Sequence, residues 1–340
     1  MRFGYGLISC QRYPGDPRTD ADLYREALEL AEEAERLGFD SVWTSEHHFA
    51  DDAYTPSLLP LSAAIAARTR SILIGTGLLL APLYPPLRLA EDAAVVDLLS
   101  EGRLVLGLGL GWLDWEFDAL VVPLGERARL TEEAIRICRQ GWAEGLVEGP
   151  GVAVYPKPAR PGGPPIWLGG HVEPAVRRAA RLADGWMAGE PSLDEFRTRL
   201  GWLWEEATRV GRKTDSLDVA GYWPVFVWED GTAWERVRPY HHYIEWKYDD
   251  AMGARGRLGA LPMPPPLDAK TEAAIRATMI CGTPDEVAAR IGEYADAAGA
   301  RFHFTARMYY PGMDPAMMRS STRLFARKVA PALRDHSSLP

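Results

Sequence analysis

Cysteine is scarce in this 340-residue chain: Cys10, Cys138 and Cys281 stand far apart, with no C-x-x-C spacing. That count excludes a disulfide framework and a thiolate zinc site as organising principles, and a reducing cytoplasm is the expected setting. Long apolar runs are also missing. Nowhere do 18 apolar residues follow one another, and the first residues lack an apolar stretch with a small-residue cleavage site, so neither a spanning helix nor a secretory signal is expected. Positive charge is in the minority. With 47 acidic residues against 38 Lys plus Arg, the net charge is −9, which suits neither a phosphate backbone nor an anionic membrane; nucleic acid and membrane are not expected partners.

What remains is ordinary globular material, 47% hydrophobic and 25% charged, with one excess: 12 tryptophans. These either line an aromatic cavity or fill core. Short apolar runs alternate with helical patterns along the whole chain, the pattern of βα units on a parallel sheet. Strands are expected at Arg2 to Ile8, Ser41 to Glu46, Ile72 to Leu80, Leu104 to Gly109, Ile166 to Leu168, Gly185 to Ala188, Leu217 to Val227 and Arg301 to Ala306. The helices between them start on recognisable caps, such as Thr19-Asp20-Ala21-Asp22 and Thr283-Pro284-Asp285-Glu286. Eight such pairs, with no appended nucleotide fold, predict one (β/α)8 TIM barrel over 1–340 as a single domain. Two Pro-rich stretches, 149–165 and 256–270, read as insertion loops, and the second is expected to act as a lid.

In a barrel of this kind chemistry sits where strands end. Glu46-His47-His48-Phe49 ends the second strand, and His47 is the expected acid, base or hydrogen-bond donor, with Glu46 fixing its tautomer or holding a polar group of a cofactor. A metal reading through His47, His171 and His303 is weakened because adjacent His47 and His48 point to opposite faces of a pleat. Gly107-Leu108-Gly109-Leu110-Gly111-Trp112 lacks the G-x-G-x-x-G spacing and is no dinucleotide fingerprint. Alternating glycine there admits a flat ligand at Gly109, or else marks a crowded strand. Gly169-Gly170-His171 precedes a helix and offers free N–H groups to an anion, with Arg127 as a matching cation. Trp112, Tyr222 and Phe226 are candidate substrate-pocket residues.

Gly38 to Trp43 with Glu46 to Phe49, Ala90-Glu91-Asp92, Ser100 to Arg103, Gly107 to Trp112 with Glu116-Phe117, Pro165 to His171, and Cys281 to Val287 stand in this order along the chain. Together they resemble the bacterial luciferase-like flavin-dependent monooxygenases over essentially the whole length. The resemblance implies a barrel that takes reduced FMN from a separate flavin reductase, or in another branch the deazaflavin F420, and that dimerises through helices of its first half. It implies that His47 stands beside the isoalloxazine and that Gly77 and Leu78 lie against the ring. It further implies that Gly169, Gly170, His171 and Arg127 hold the phosphate. Gly109 and Leu110 replace a Cys and an Arg of the luciferase α subunit, so light emission is not expected. The expected activity is oxygenation of an apolar or aromatic organic substrate. F420-dependent hydride transfer and a non-catalytic flavin-binding protein are the alternatives.

Overall fold

A computed structural model describes residues 1–248, 263–299 and 301–336. Eight parallel strands close on themselves: β1 (Arg2–Ile8), β2 (Ser41–Thr44), β3 (Leu73–Thr76), β4 (Leu104–Gly109), β5 (Ile166–Gly169), β6 (Gly185–Gly189), β7 (Asp218–Val227) and β8 (Phe302–Arg307). Closure comes from β8, which pairs with β7 on one side and with β1 on the other. The helices α1 (Asp20–Arg36), α2 (Leu58–Arg68), α3 (Pro86–Leu99), α4 (Arg127–Trp142), α5 (Glu173–Leu182), α6 (Leu193–Arg209), α7 (Ala233–Trp246), α8 (Pro284–Ala298) and α9 (Pro315–Leu324) accompany them. The barrel is therefore the (β/α)8 architecture that the alternation predicts. Capping boxes at Thr19 and Thr283 form as expected, and a third at Ser192 starts α6.

Strand pleating separates two cores. Leu104, Leu106 and Leu108 face outward and join the large cluster against the helices, whereas Val105 faces inward with Trp43, Trp167, Met187 and Ala220. Much of the inward face is glycine, and the bulky interior residues explain it. A Cβ on Gly75 would fall 2.2 Å from the Trp43 ring, and one on Gly185 would fall 2.7 Å from Trp167. Trp43 and Trp167 stack at 5.1 Å, while Trp223 packs outward on Phe196 and Tyr294. Much of the tryptophan excess is thus packing.

Several boundaries differ from the sequence-based expectation. The second strand stops at Thr44 rather than Glu46, which frees residues 45–49 to enter the mouth. The third ends at Thr76, the Gly77–Leu78 peptide is cis, and pairing with β4 resumes only at Leu79–Leu80. Arg127 begins α4 instead of preceding the helix. Residues 149–165 are irregular as expected, with Lys157 Nζ donating to the carbonyls of Gly141 and Ala143 at the end of α4. Of the expected lid, 256–262 lie outside the described residues, 263–268 are irregular, and Ala269–Thr278 is a helix capped by Asp268. A helix therefore replaces the end of that predicted loop.

Candidate active site

The end of β2 delivers three ionisable side chains into different surroundings. Glu46 is buried, accepting from the Leu80 N–H at 3.2 Å and the Tyr84 hydroxyl at 3.1 Å, with His48 Nε2 3.1 Å away. Burial raises its pKa. Burial pulls His48 down, but its hydrogen bond to Glu46 and the charges of Glu46 and Glu116 win, and the net shift is upward. His47 turns the other way. Its Nδ1 lies 3.0 Å from Glu116 Oε1, which also accepts the His48 backbone N–H at 2.8 Å. The carboxylate that fixes His47 is therefore Glu116, from the short helix Asp114–Ala119, and not Glu46, whose oxygens are already engaged. Nε2 of His47 has no hydrogen-bond partner among the described residues.

Two tyrosines enclose the imidazole. Tyr54 meets it edge-on at 4.9 Å and Tyr248 at 5.6 Å, and their hydroxyls hydrogen-bond to each other, with Ser45 Oγ 2.9 Å from Tyr54. Behind them Lys247 is fully buried, paired with Asp52 and donating to Gln11 Oε1 at 2.6 Å, with its ammonium 4.8 Å from the centre of the Tyr54 ring. Burial lowers the pKa of Lys247 against the pull of Asp52. Across the mouth, Arg307 at the end of β8 pairs with Glu190 just past β6 and lies over Tyr248 at 5.6 Å.

The expected cofactor residues fall in two groups. Leu78 reaches inward over three glycines: a Cβ on Gly169 would lie 2.1 Å from its Cδ1, and Gly107 and Gly109 have it at 3.1 Å. The glycine alternation of β4 therefore seats Leu78, the crowded-strand reading of Gly109, and Gly77 and Leu78 form a wall of the barrel top. The second group gathers around the start of α5. Glu132 of α4 and Arg178 of α5 pair at 2.7 Å, each five residues into its helix, so these helices are neighbours; Arg127, the first residue of α4, donates to the Leu124 carbonyl at 3.0 Å. Gly170 is held small by Ala175, whose Cβ would lie 2.7 Å from an added one.

Of the expected substrate residues, Tyr222 faces inward, Trp112 is 49% exposed on the loop after β4, and Phe226 stacks on Trp228 in the outer core. Only Tyr222 is brought to the mouth by these contacts. His303, expected near a strand end, is instead the second residue of β8 at the opposite end. There it lies 2.7 Å from Ser41 Oγ, between Trp43 and Trp167. It cannot join His47 and His171, and among the described residues no group of three or more His, Cys, Asp or Glu could hold a metal ion. A cleft of about 500 Å³ opens at that same far end, lined by Arg2, Asp40, Arg160 and Asp218 among others, away from these groups. Tyr248 was one of several aromatics expected near the mouth, whereas sequence reading missed Glu116, Tyr54, Lys247 and Arg307 as site residues. Only Glu116 carried a signal, an acid just after the glycine run.

A family model described as luciferase-like monooxygenase matches residues 1–301. The chain belongs to the luciferase-like monooxygenase family. Its relatives divide by cofactor. It is 33% identical over 176 residues to the oxygenase component of flavin-dependent trigonelline monooxygenase from Acinetobacter baylyi, a match spanning 49% of this chain and 48% of that one. It is 29% identical to F420-dependent glucose-6-phosphate dehydrogenase from Microbacterium testaceum, covering 98% of each chain. The crystal structure of monooxygenase RslO1 from Streptomyces bottropensis superposes with a TM-score of 0.83 at 28% identity, covering 98% of this chain and 99% of that one. Among the described residues no helix is long and apolar enough to cross a membrane.

Proposed function

We propose that this luciferase-like enzyme is the oxygenase of a two-component monooxygenase, using reduced FMN from a separate reductase and O2 to oxygenate an aromatic or apolar organic substrate. The observation that carries the reading is His47, held at Nδ1 by buried Glu116 and enclosed by Tyr54 and Tyr248 at the strand ends. An imidazole fixed in that way presents Nε2 to a bound ligand and can hold or pass one proton there. Supporting it are the likeness to an oxygenase component and to RslO1.

The residues present fit the group. Gly170 and His171 lead into α5, whose first N–H groups and dipole favour a phosphate, and Arg127, at the first position of the neighbouring α4, is the proposed cation. Gly77 and Leu78 form a wall for a flat ring, and His47 follows the end of the adjoining strand β2. Reduced FMN, when bound, supplies the electrons that activate oxygen. The chain's own part is to bind the phosphate, orient the ring, exclude water and govern a proton at His47 Nε2. A reading through F420 and hydride transfer is favoured by one observation, the full-length likeness to an F420-dependent dehydrogenase.

The activity test supplies the protein with a flavin reductase, NADH and isotopically labelled O2, together with a panel of phenols and cyclic ketones. Label in a product supports oxygenation. Oxygen uptake that no substrate alters, with no labelled product, would favour the non-catalytic flavin-binding alternative.

A further inference from the structure

The top layer of the barrel interior carries a second polar group opposite His47. Pleating turns Ala220 and Tyr222 of β7 inward, and on β8 it turns His303, Thr305 and Arg307 inward. Tyr222 is in register with Thr305 and with Gly189, and Arg307 with Pro224, so on neighbouring strands both point inward, with Arg307 two residues further toward the strand ends. Gly189 keeps the space beside them open: a Cβ there would lie 2.6 Å from the Tyr222 hydroxyl and 2.7 Å from His171. Tyr248 links the two sides, since His47 packs on its ring at 5.6 Å and the Arg307 guanidinium lies 5.6 Å from the same ring.

The cations of this mouth differ in what they have left to give. Lys247 is closed by Asp52 and Gln11, and His48 by Glu46. Arg307 is only 8% exposed and uses one nitrogen on Glu190; its other donors, and the Tyr222 hydroxyl, have no partner among the described residues. Donors of a mostly buried guanidinium that face the open mouth are available to an oxygen of a ligand. Glu190 already cancels one unit of charge, so a neutral oxygen suits the place better than a carboxylate.

We propose that Arg307 and Tyr222 form the polar end of the substrate pocket and receive a phenolic or ketonic oxygen of a ring substrate, across the mouth from His47. This rests on the reading of the mouth as the site of a flavin-dependent enzyme, and it names the substrate class of that site.

The test uses three probes of one shape: 4-ethylphenol, ethylbenzene and 4-ethylbenzoate, titrated into the full chain by ligand-detected NMR. The wild type should bind the phenol at least about 10-fold more tightly than ethylbenzene and more tightly than the benzoate. Tyr222→Phe, which removes only a hydroxyl, should cut the phenol preference at least threefold while leaving ethylbenzene unchanged, and Arg307→Lys should do the same. A wild-type preference near one, a preference untouched by Tyr222→Phe, or tightest binding of the benzoate would overturn the proposal. FMN affinity, read by flavin fluorescence in the same samples, separates the two readings. No flavin binding with the phenol preference intact contradicts the flavin function and leaves this pocket standing.

Discussion

Glu116 accepts from His47 Nδ1–H, so any proton the ring exchanges with a ligand moves at Nε2. His47→Ala should therefore lower turnover roughly 100-fold or more with little change in thermal stability. Glu116→Gln keeps the side-chain length but replaces the carboxylate that orients the imidazole, and should cost about 10-fold or more in kcat. Steady-state rates of the two variants check both, and unchanged turnover in either removes that residue from the mechanism. His303 and His241 act on stability. Burial pushes His303 down to about 4 and His241 to about 3, with Arg307 adding to the effect on His241. Both lie below the unfolded value of about 6.5, so the unfolded chain binds more protons between those limits. Stability should be fully present above pH 6.5 and fall as pH drops toward 4, by about 1.4 kcal/mol per unit for each fully coupled histidine. Urea midpoints against pH measure this, and His303→Gln should flatten the slope. His47 was legible because a His at a strand end has few reasons to be there. The pairing of Glu116 with it was not, because the two lie 69 residues apart.

Elements meet at the mouth through buried charge. Lys247 ends α7 and fastens it to the loops after β1 and β2 through Gln11 and Asp52. Lys247→Met alone strands Asp52 and should destabilise by about 3 to 5 kcal/mol, whereas Lys247→Met with Asp52→Asn should recover a large part of that loss. Chemical denaturation of these two variants and of Asp52→Asn alone gives the coupling, and additive losses would contradict the pairing. On β4, Gly107→Ala would place a Cβ 2.0 Å from the Thr76 carbonyl oxygen. That contact is with backbone, so the variant should lose soluble expression or several °C of Tm. Helices with caps were readable from a few adjacent residues, as at Thr19 and Thr283. The interruption at Gly77–Leu78 was not, since the apolar run from Ile72 to Leu80 looks continuous and only the packing of Leu78 over Gly107, Gly109 and Gly169 shows why pairing stops there.

For the molecule as a whole, period and order were enough to predict the barrel, because each βα unit buries one strand and one helix and eight of them close. Which tryptophans pack and which line a mouth depended on strand parity and on neighbours far away in sequence, as Trp43 against Trp167 illustrates. Assembly is read from the surface. Val95, Leu98 and Leu99 leave an exposed apolar strip on α3, in the first half of the chain where a homodimer is proposed to form. Sedimentation velocity should show a dimer at micromolar concentration and a monomer for Leu99→Arg; a monomeric wild type would contradict the dimer. The reading of the whole turns on the cofactor that the mouth accepts. Anaerobic titration of the purified chain with FMNH2 and with F420H2, followed by fluorescence, tests it most directly. The expected result is saturable binding of FMNH2 that Gly170→Asp abolishes, with F420H2 binding far more weakly. Tight binding of F420H2 with none of FMNH2 would contradict it.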